Sequence, residues 1–123
     1  MEPMLIMQTS AVVLTISALG GATMAFIRFS GKPHPPIWLA MLHGFLSAAA
    51  VTLLLYAFFT TGLPMLASTA LALFLVAALG GAVLNLNYHW KLIPLPKWLV
   101  LVHGGVAVIG FLCLLGAVFT THA

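Results

Sequence analysis

Four apolar runs, at residues 4–29, 37–61, 64–88 and 97–121, alternate along this chain with three short breaks rich in proline and glycine. Each run exceeds the roughly 20 residues that an α-helix rising 1.5 Å per residue needs to cross a hydrocarbon core of about 30 Å. The breaks are Ser30-Gly31-Lys32-Pro33-His34-Pro35-Pro36, Thr61-Gly62-Leu63-Pro64 and Lys91-Leu92-Ile93-Pro94-Leu95-Pro96. Proline fits the first turn of a helix and glycine fits just past its end, so each break closes one helix and opens the next.

An offset of sixty residues aligns the chain with itself. Ala18-Leu19-Gly20-Gly21-Ala22 matches Ala78-Leu79-Gly80-Gly81-Ala82, Pro36 matches Pro96, and Trp38-Leu39 matches Trp98-Leu99. His43-Gly44 matches His103-Gly104 and Phe59-Thr60-Thr61 matches Phe119-Thr120-Thr121, with no gap anywhere. The pattern predicts one all-α domain over residues 1–123, an integral membrane four-helix bundle. It is made of two tandem helical hairpins, repeat 1 at about 4–61 and repeat 2 at about 64–121. Each repeat holds an even number of spans, so both have the same orientation and a pseudo-two-fold axis along the membrane normal relates them.

Composition agrees: 63% of residues are hydrophobic, 4% are charged, and the mean hydropathy is +1.23. The spans take up nearly all of the 123 residues and leave no soluble domain among them. No basic run precedes the first apolar stretch, which therefore reads as a retained helix rather than a signal peptide. The pI near 9.5 comes from only four basic side chains and does not point to nucleic acid. Those four, Arg28, Lys32, Lys91 and Lys97, all lie in or beside the first and third connections. Positive residues favour the cytoplasmic side, so both connections are expected there and both termini outside, in a bacterial inner membrane.

Five histidines supply the candidate chemistry, and two of them repeat. His43 lies about seven residues into the second helix, roughly 10 Å deep, and His103 lies equally deep in the fourth. Gly20-Gly21 and Gly80-Gly81 fall at the same depth on helices one and three. Small residues follow the histidines at helical spacing: Ser47, Ala50 and Ala57 after His43, and Ala107, Gly110 and Ala117 after His103. Such residues also serve ordinary membrane helix packing, and a lone imidazole can serve as interhelical glue. Two ionisable groups at symmetric positions inside a membrane are, by contrast, a functional hypothesis, each the natural partner of the other.

Two neutral imidazoles suit a transition metal or heme. Zinc or copper would recruit further ligands, but the spans contain no Asp or Glu and a single cysteine, Cys113, about ten residues from His103. The single cysteine excludes an internal disulfide, and the absence of Cys-x-x-Cys-His excludes covalent heme attachment. Heme needs only two axial nitrogens, apolar walls and clearance for the macrocycle.

With histidine-glycine pairs on helices two and four and Gly-Gly pairs on helices one and three, the chain resembles the four-helix-bundle membrane b-type cytochromes. The resemblance is one of architecture. It implies one heme b per chain, with His43 and His103 as axial ligands to the metal. It implies Gly20, Gly21, Gly44, Gly80, Gly81 and Gly104 around the cofactor. Arg28, Trp38 and Trp98 would then be donors to its propionates, alongside Lys32, Lys91 and Lys97, although Trp and Lys at such depths also serve as interfacial anchors. The implied role is electron transfer rather than stand-alone catalysis, with quinone or a redox protein as partner in the lipid phase. A noncatalytic membrane subunit or assembly factor of a larger complex, or a homo-oligomer, has the same inventory. A small transporter fits less well, because the only acid, Glu2, lies at the terminus. Asn85, Asn87, Tyr88 and His89 break the repeat at the end of helix three, either as polar caps or as a quinone or partner site. His34 and His122 read as solvated.

Overall fold

A computed structural model gives the fold of residues 2–121. Among these residues there are four long helices and no strand. They are α1 (Pro3–Phe29), α2 (Ile37–Thr60), α3 (Met65–Val83), which continues as a π-helical turn (Leu84–His89), and α4 (Lys97–Thr121). Each is long and apolar enough to cross a membrane, counting Met65–His89 as one span.

Proline sets the helix starts. Pro3 occupies the first turn of α1, while Pro36 and Pro64 stand immediately before α2 and α3. Glycine sets two of the ends. Gly62 has φ +81°, and its N–H reaches back to the Ala57 carbonyl at 2.8 Å, closing α2. Gly31, at φ +113°, turns the chain out of α1. Beyond α3 the left-handed residue is Leu92, at φ 56°, one position past the repeat equivalent of Gly31. A π turn takes up one more residue than an α turn, which accounts for the later exit.

The helices pair as the repeat requires. α1 packs along α2 and α3 along α4, and weaker α1–α4 and α2–α3 contacts close the ring, so α2 and α4 are diagonal. The dry core occupies the half of the bundle toward the termini. Met7, Leu14, Leu54, Leu71, Phe74 and Leu114 meet there with the small residues Ala50, Ala57, Ala67, Ala70 and Ala117. Gly110 allows close packing there: a Cβ on it would stand 3.0 Å from Cε1 of Phe74 and 3.2 Å from Cβ of Leu73.

The half toward the basic connections is built differently. No described residue is buried on α1 beyond Ser17, on α2 between Leu39 and Ala50, on α3 and its π turn between Ala77 and His89, or on α4 before Gly110. Even positions on the inward stripe, His43, Ser47, His103 and Ala107, are only half-buried, whereas Ala50 and Ala57 on that stripe are fully covered. This layer is roughly 15 Å tall at 1.5 Å per residue. Pro35, Leu39, His89 and Leu95, all buried, close it at the basic end. There the two connections join: the Leu95 N–H donates to the Pro33 carbonyl at 3.0 Å, and His89 Nε2–H donates to the Pro35 carbonyl at 2.7 Å.

Candidate functional site

His43 and His103 meet edge to face in this less buried layer, their ring centroids 6.2 Å apart and their planes inclined at 80°. Each is held by the other helix of its own hairpin. Nδ1 of His43 lies 2.8 Å from the Ser17 carbonyl oxygen, and Nδ1 of His103 lies 2.7 Å from that of Ala77. A carbonyl oxygen only accepts, so in both rings the proton is on Nδ1. The neutral ring then carries its lone pair on Nε2. Among the described residues, neither Nε2 makes a hydrogen bond.

The Gly-Gly pairs explain how a helix carbonyl, already the acceptor of its own i+4 N–H, becomes open to a second donor. Helical side chains lean toward the N-terminus, so those at i+3 and i+4 cover the carbonyl of residue i. Relative to Ser17 these are Gly20 and Gly21; relative to Ala77 they are Gly80 and Gly81. With both side chains reduced to hydrogen, the imidazole reaches the second lone pair of the carbonyl. The fit is close: a Cβ on Gly21 would stand 2.9 Å from Cε1 of His43, and one on Gly81 would stand 3.0 Å from Cε1 of His103. Gly20 and Gly80 face the Cβ atoms of the same histidines at 3.8 and 3.6 Å.

The first hairpin adds a hydroxyl network that the second lacks. Ser17 Oγ–H donates to the His43 carbonyl at 3.1 Å, and its oxygen lies 3.0 Å from His43 Nδ1 and 2.5 Å from Ser47 Oγ. Ala77 and Ala107 occupy the equivalent positions in the second repeat.

The other expected site residues lie elsewhere. A Cβ added at Gly44 or Gly104 would meet nothing within 4 Å beyond its own neighbours in the chain. Trp38 and Trp98 point outward, 66% and 65% exposed. Arg28 Nε–H donates to the Leu95 carbonyl at 2.8 Å and ties α1 to the α3–α4 connection. Lys97 Nζ stands 5.6 Å from the centroid of the Phe29 ring, a second tie between the hairpins at the basic end.

His34, expected to be solvated, is half-buried, with its ring centroid 5.4 Å from that of His89, itself only 2% exposed. The cause is the loop-to-loop bond from His89 to Pro35, which draws the neighbouring residue over the π turn. His122 lies outside the described residues. Among the described residues no three of His, Cys, Asp or Glu converge on one point, and Cys113 is a half-buried free thiol. Any metal held at the histidine pair would therefore take two nitrogen ligands from the protein.

Comparison with known proteins gives no match to a family model, to a curated protein or to a solved structure.

Proposed function

We propose that this chain is a small integral membrane b-type cytochrome that holds one heme b between α2 and α4 and exchanges electrons with quinone or a redox partner protein. The observation that carries the reading is the symmetric pair of imidazoles, each with Nδ1–H committed to a backbone carbonyl and the Nε2 lone pair unused. A histidine that binds a metal characteristically donates its other ring N–H in this way, which sets the tautomer and aims the ring. The two rings lie close together, 6.2 Å between centroids, so His43 and His103 are the residues that would hold such a group.

The donor set fits the group. Two neutral imidazoles and no carboxylate suit heme better than zinc, which usually takes four ligands. The layer around the histidines is the part of the bundle that its own side chains do not bury. When bound, heme supplies a one-electron redox couple, and two imidazole ligands leave no open coordination position for oxygen chemistry. The role of the chain is to hold both rings correctly turned through the Ser17 and Ala77 carbonyls. Its apolar outer surface keeps the site in the lipid phase. The four basic residues favour placing the α1–α2 and α3–α4 connections in the cytoplasm and the termini outside, in a bacterial inner membrane.

The test is the absorption spectrum of the purified chain in detergent, oxidised and then reduced with dithionite, after expression with heme precursor. A low-spin b-type spectrum with one heme per chain is expected. Folded protein without a Soret band would instead favour a noncatalytic membrane subunit, with the histidines acting as interhelical ties.

A further inference from the structure

Beside the histidine layer, α2 and the π turn after α3 flank an open groove of about 240 Å³, lined by Ala40, Met41, Gly44, Phe45, Ala48 and Asn85, of which Gly44, Phe45 and Ala48 are exposed. Ala40, Gly44 and Ala48 follow one another at four-residue spacing and share one face of α2, so this wall is recessed. The opposite wall carries an unmet polar group: Asn85 Oδ1 is buried and has no hydrogen-bond partner among the described residues. A buried amide without a partner is costly, most of all at membrane depth, where no bulk water can satisfy it.

Most of the residues that line it differ at the equivalent positions of the other repeat. Ala25 stands where Asn85 does, and α1 remains α-helical through Phe29 while Leu84–His89 opens into the π turn. Duplication of the hairpin therefore does not explain it, and π turns are frequent at functional sites.

We propose that this groove binds the head of a lipid-soluble molecule that carries a hydroxyl group on a ring-sized apolar body, with the Asn85 amide as its hydrogen-bond partner. An apolar cavity of roughly 150 Å³ accommodates a benzene ring, so the space here accepts a substituted ring. A hydroxyl both donates and accepts, and rotation about the soft terminal torsion of Asn85 presents either end of the amide to it. No cationic side chain lines the groove, and Met41 and Phe45 make its walls apolar, which selects against an anionic ligand. Membrane hydroquinones and lipid alcohols share this chemistry. Choosing the hydroquinone rests on the electron-transfer reading above; the site itself does not.

The test is calorimetric titration of the purified full chain with decylubiquinol under argon and, separately, with dodecanol. Binding of decylubiquinol is expected, weakened at least tenfold by Asn85→Leu, which removes the amide, and by Gly44→Leu, which fills the recessed wall. Helical content read by circular dichroism identifies properly folded variants, and if Asn85→Leu does not fold, Gly44→Leu decides. Tighter binding of decylubiquinol than of dodecanol, which has the hydroxyl but no ring, supports the proposal, and equal affinity for dodecanol overturns the requirement for a ring. Absence of binding by either probe, or unchanged binding in the folded variants, overturns the proposal. A colourless protein that binds decylubiquinol in an Asn85-dependent way would remove the cytochrome reading and keep this site; a heme-loaded protein that binds neither probe would do the reverse.

Discussion

Gly21 and His43 touch so closely that a single methyl group on the glycine would stand 2.9 Å from Cε1 of the imidazole. Below 3.0 Å something must shift, and here the obstructed group is a ring already tied to the Ser17 carbonyl. Gly21→Ala is therefore expected to turn the ring away from Ser17 and destabilise the hairpin by about 1 to 3 kcal/mol, the usual cost of overpacking. Gly81→Ala should behave alike through His103, at 3.0 Å. Thermal unfolding in detergent measures the loss. Gly20→Ala, whose Cβ would sit at an ordinary 3.8 Å from Cβ of His43, should lose clearly less, and equal losses at positions 20 and 21 would count against this packing.

The second repeat predicts the result of removing the Ser17 hydroxyl. Ala77 holds His103 by its carbonyl alone. Ser17→Ala should therefore leave the bond from His43 Nδ1 to the residue-17 carbonyl intact and lose the hydroxyl contacts to His43 Nδ1, the His43 carbonyl and Ser47. Interhelical hydrogen bonds in membranes contribute about 0.6 kcal/mol on average, so the change in unfolding free energy should be on the order of 1 kcal/mol or less. Any heme spectrum should survive. Loss of the spectrum in Ser17→Ala would show that the hydroxyl, not the carbonyl, orients the ring.

These relationships show what was legible in the chain and what was not. The helix limits could be read to within a residue or two because Pro3, Pro36, Pro64 and Gly62 act locally, through fixed φ or a left-handed turn. The equivalence of His43 and His103 could be read because the repeat has no gap. The hidden part was the reason for Gly-Gly: it uncovers a carbonyl three and four residues earlier, so the informative spacing is the 26 residues from Ser17 to His43 and from Ala77 to His103. Residues 17 and 77 differ in side chain, and a backbone acceptor leaves no mark on residue identity. The π turn was equally hidden, because Leu84–His89 contains nothing that favours five-residue over four-residue hydrogen bonding. Its polar residues looked like surface caps, yet His89 is buried.

The ligand assignment makes a symmetric prediction. His43→Ala and His103→Ala should each abolish a low-spin b-type spectrum, because either change leaves one nitrogen ligand where two are needed. His34→Ala should leave the spectrum unchanged, since His34 packs beside His89 near the basic end and not with the central pair. Magnetic circular dichroism or electron paramagnetic resonance of the oxidised protein distinguishes two nitrogen ligands from one. A low-spin signal that persists in either central variant would reject the pair.

Arg28 separates the architecture of the basic end from the chemistry of the histidines. Its Nε–H donates to the Leu95 carbonyl, and the neighbouring bond from Leu95 N–H to the Pro33 carbonyl completes the join between the two connections. A hydrogen bond from a charged donor contributes about 1.5 to 3 kcal/mol when protected, and less for this half-buried pair, which water and salt reach. Arg28→Gln removes the charge and should loosen the join between 30–36 and 90–96, raising hydrogen exchange at the Leu95 amide. If Arg28 serves only this join, the absorption spectrum and the heme content stay as they were. A shift of reduction potential in Arg28→Gln without faster exchange at Leu95 would give Arg28 the propionate-binding role that its position beside the first connection suggests.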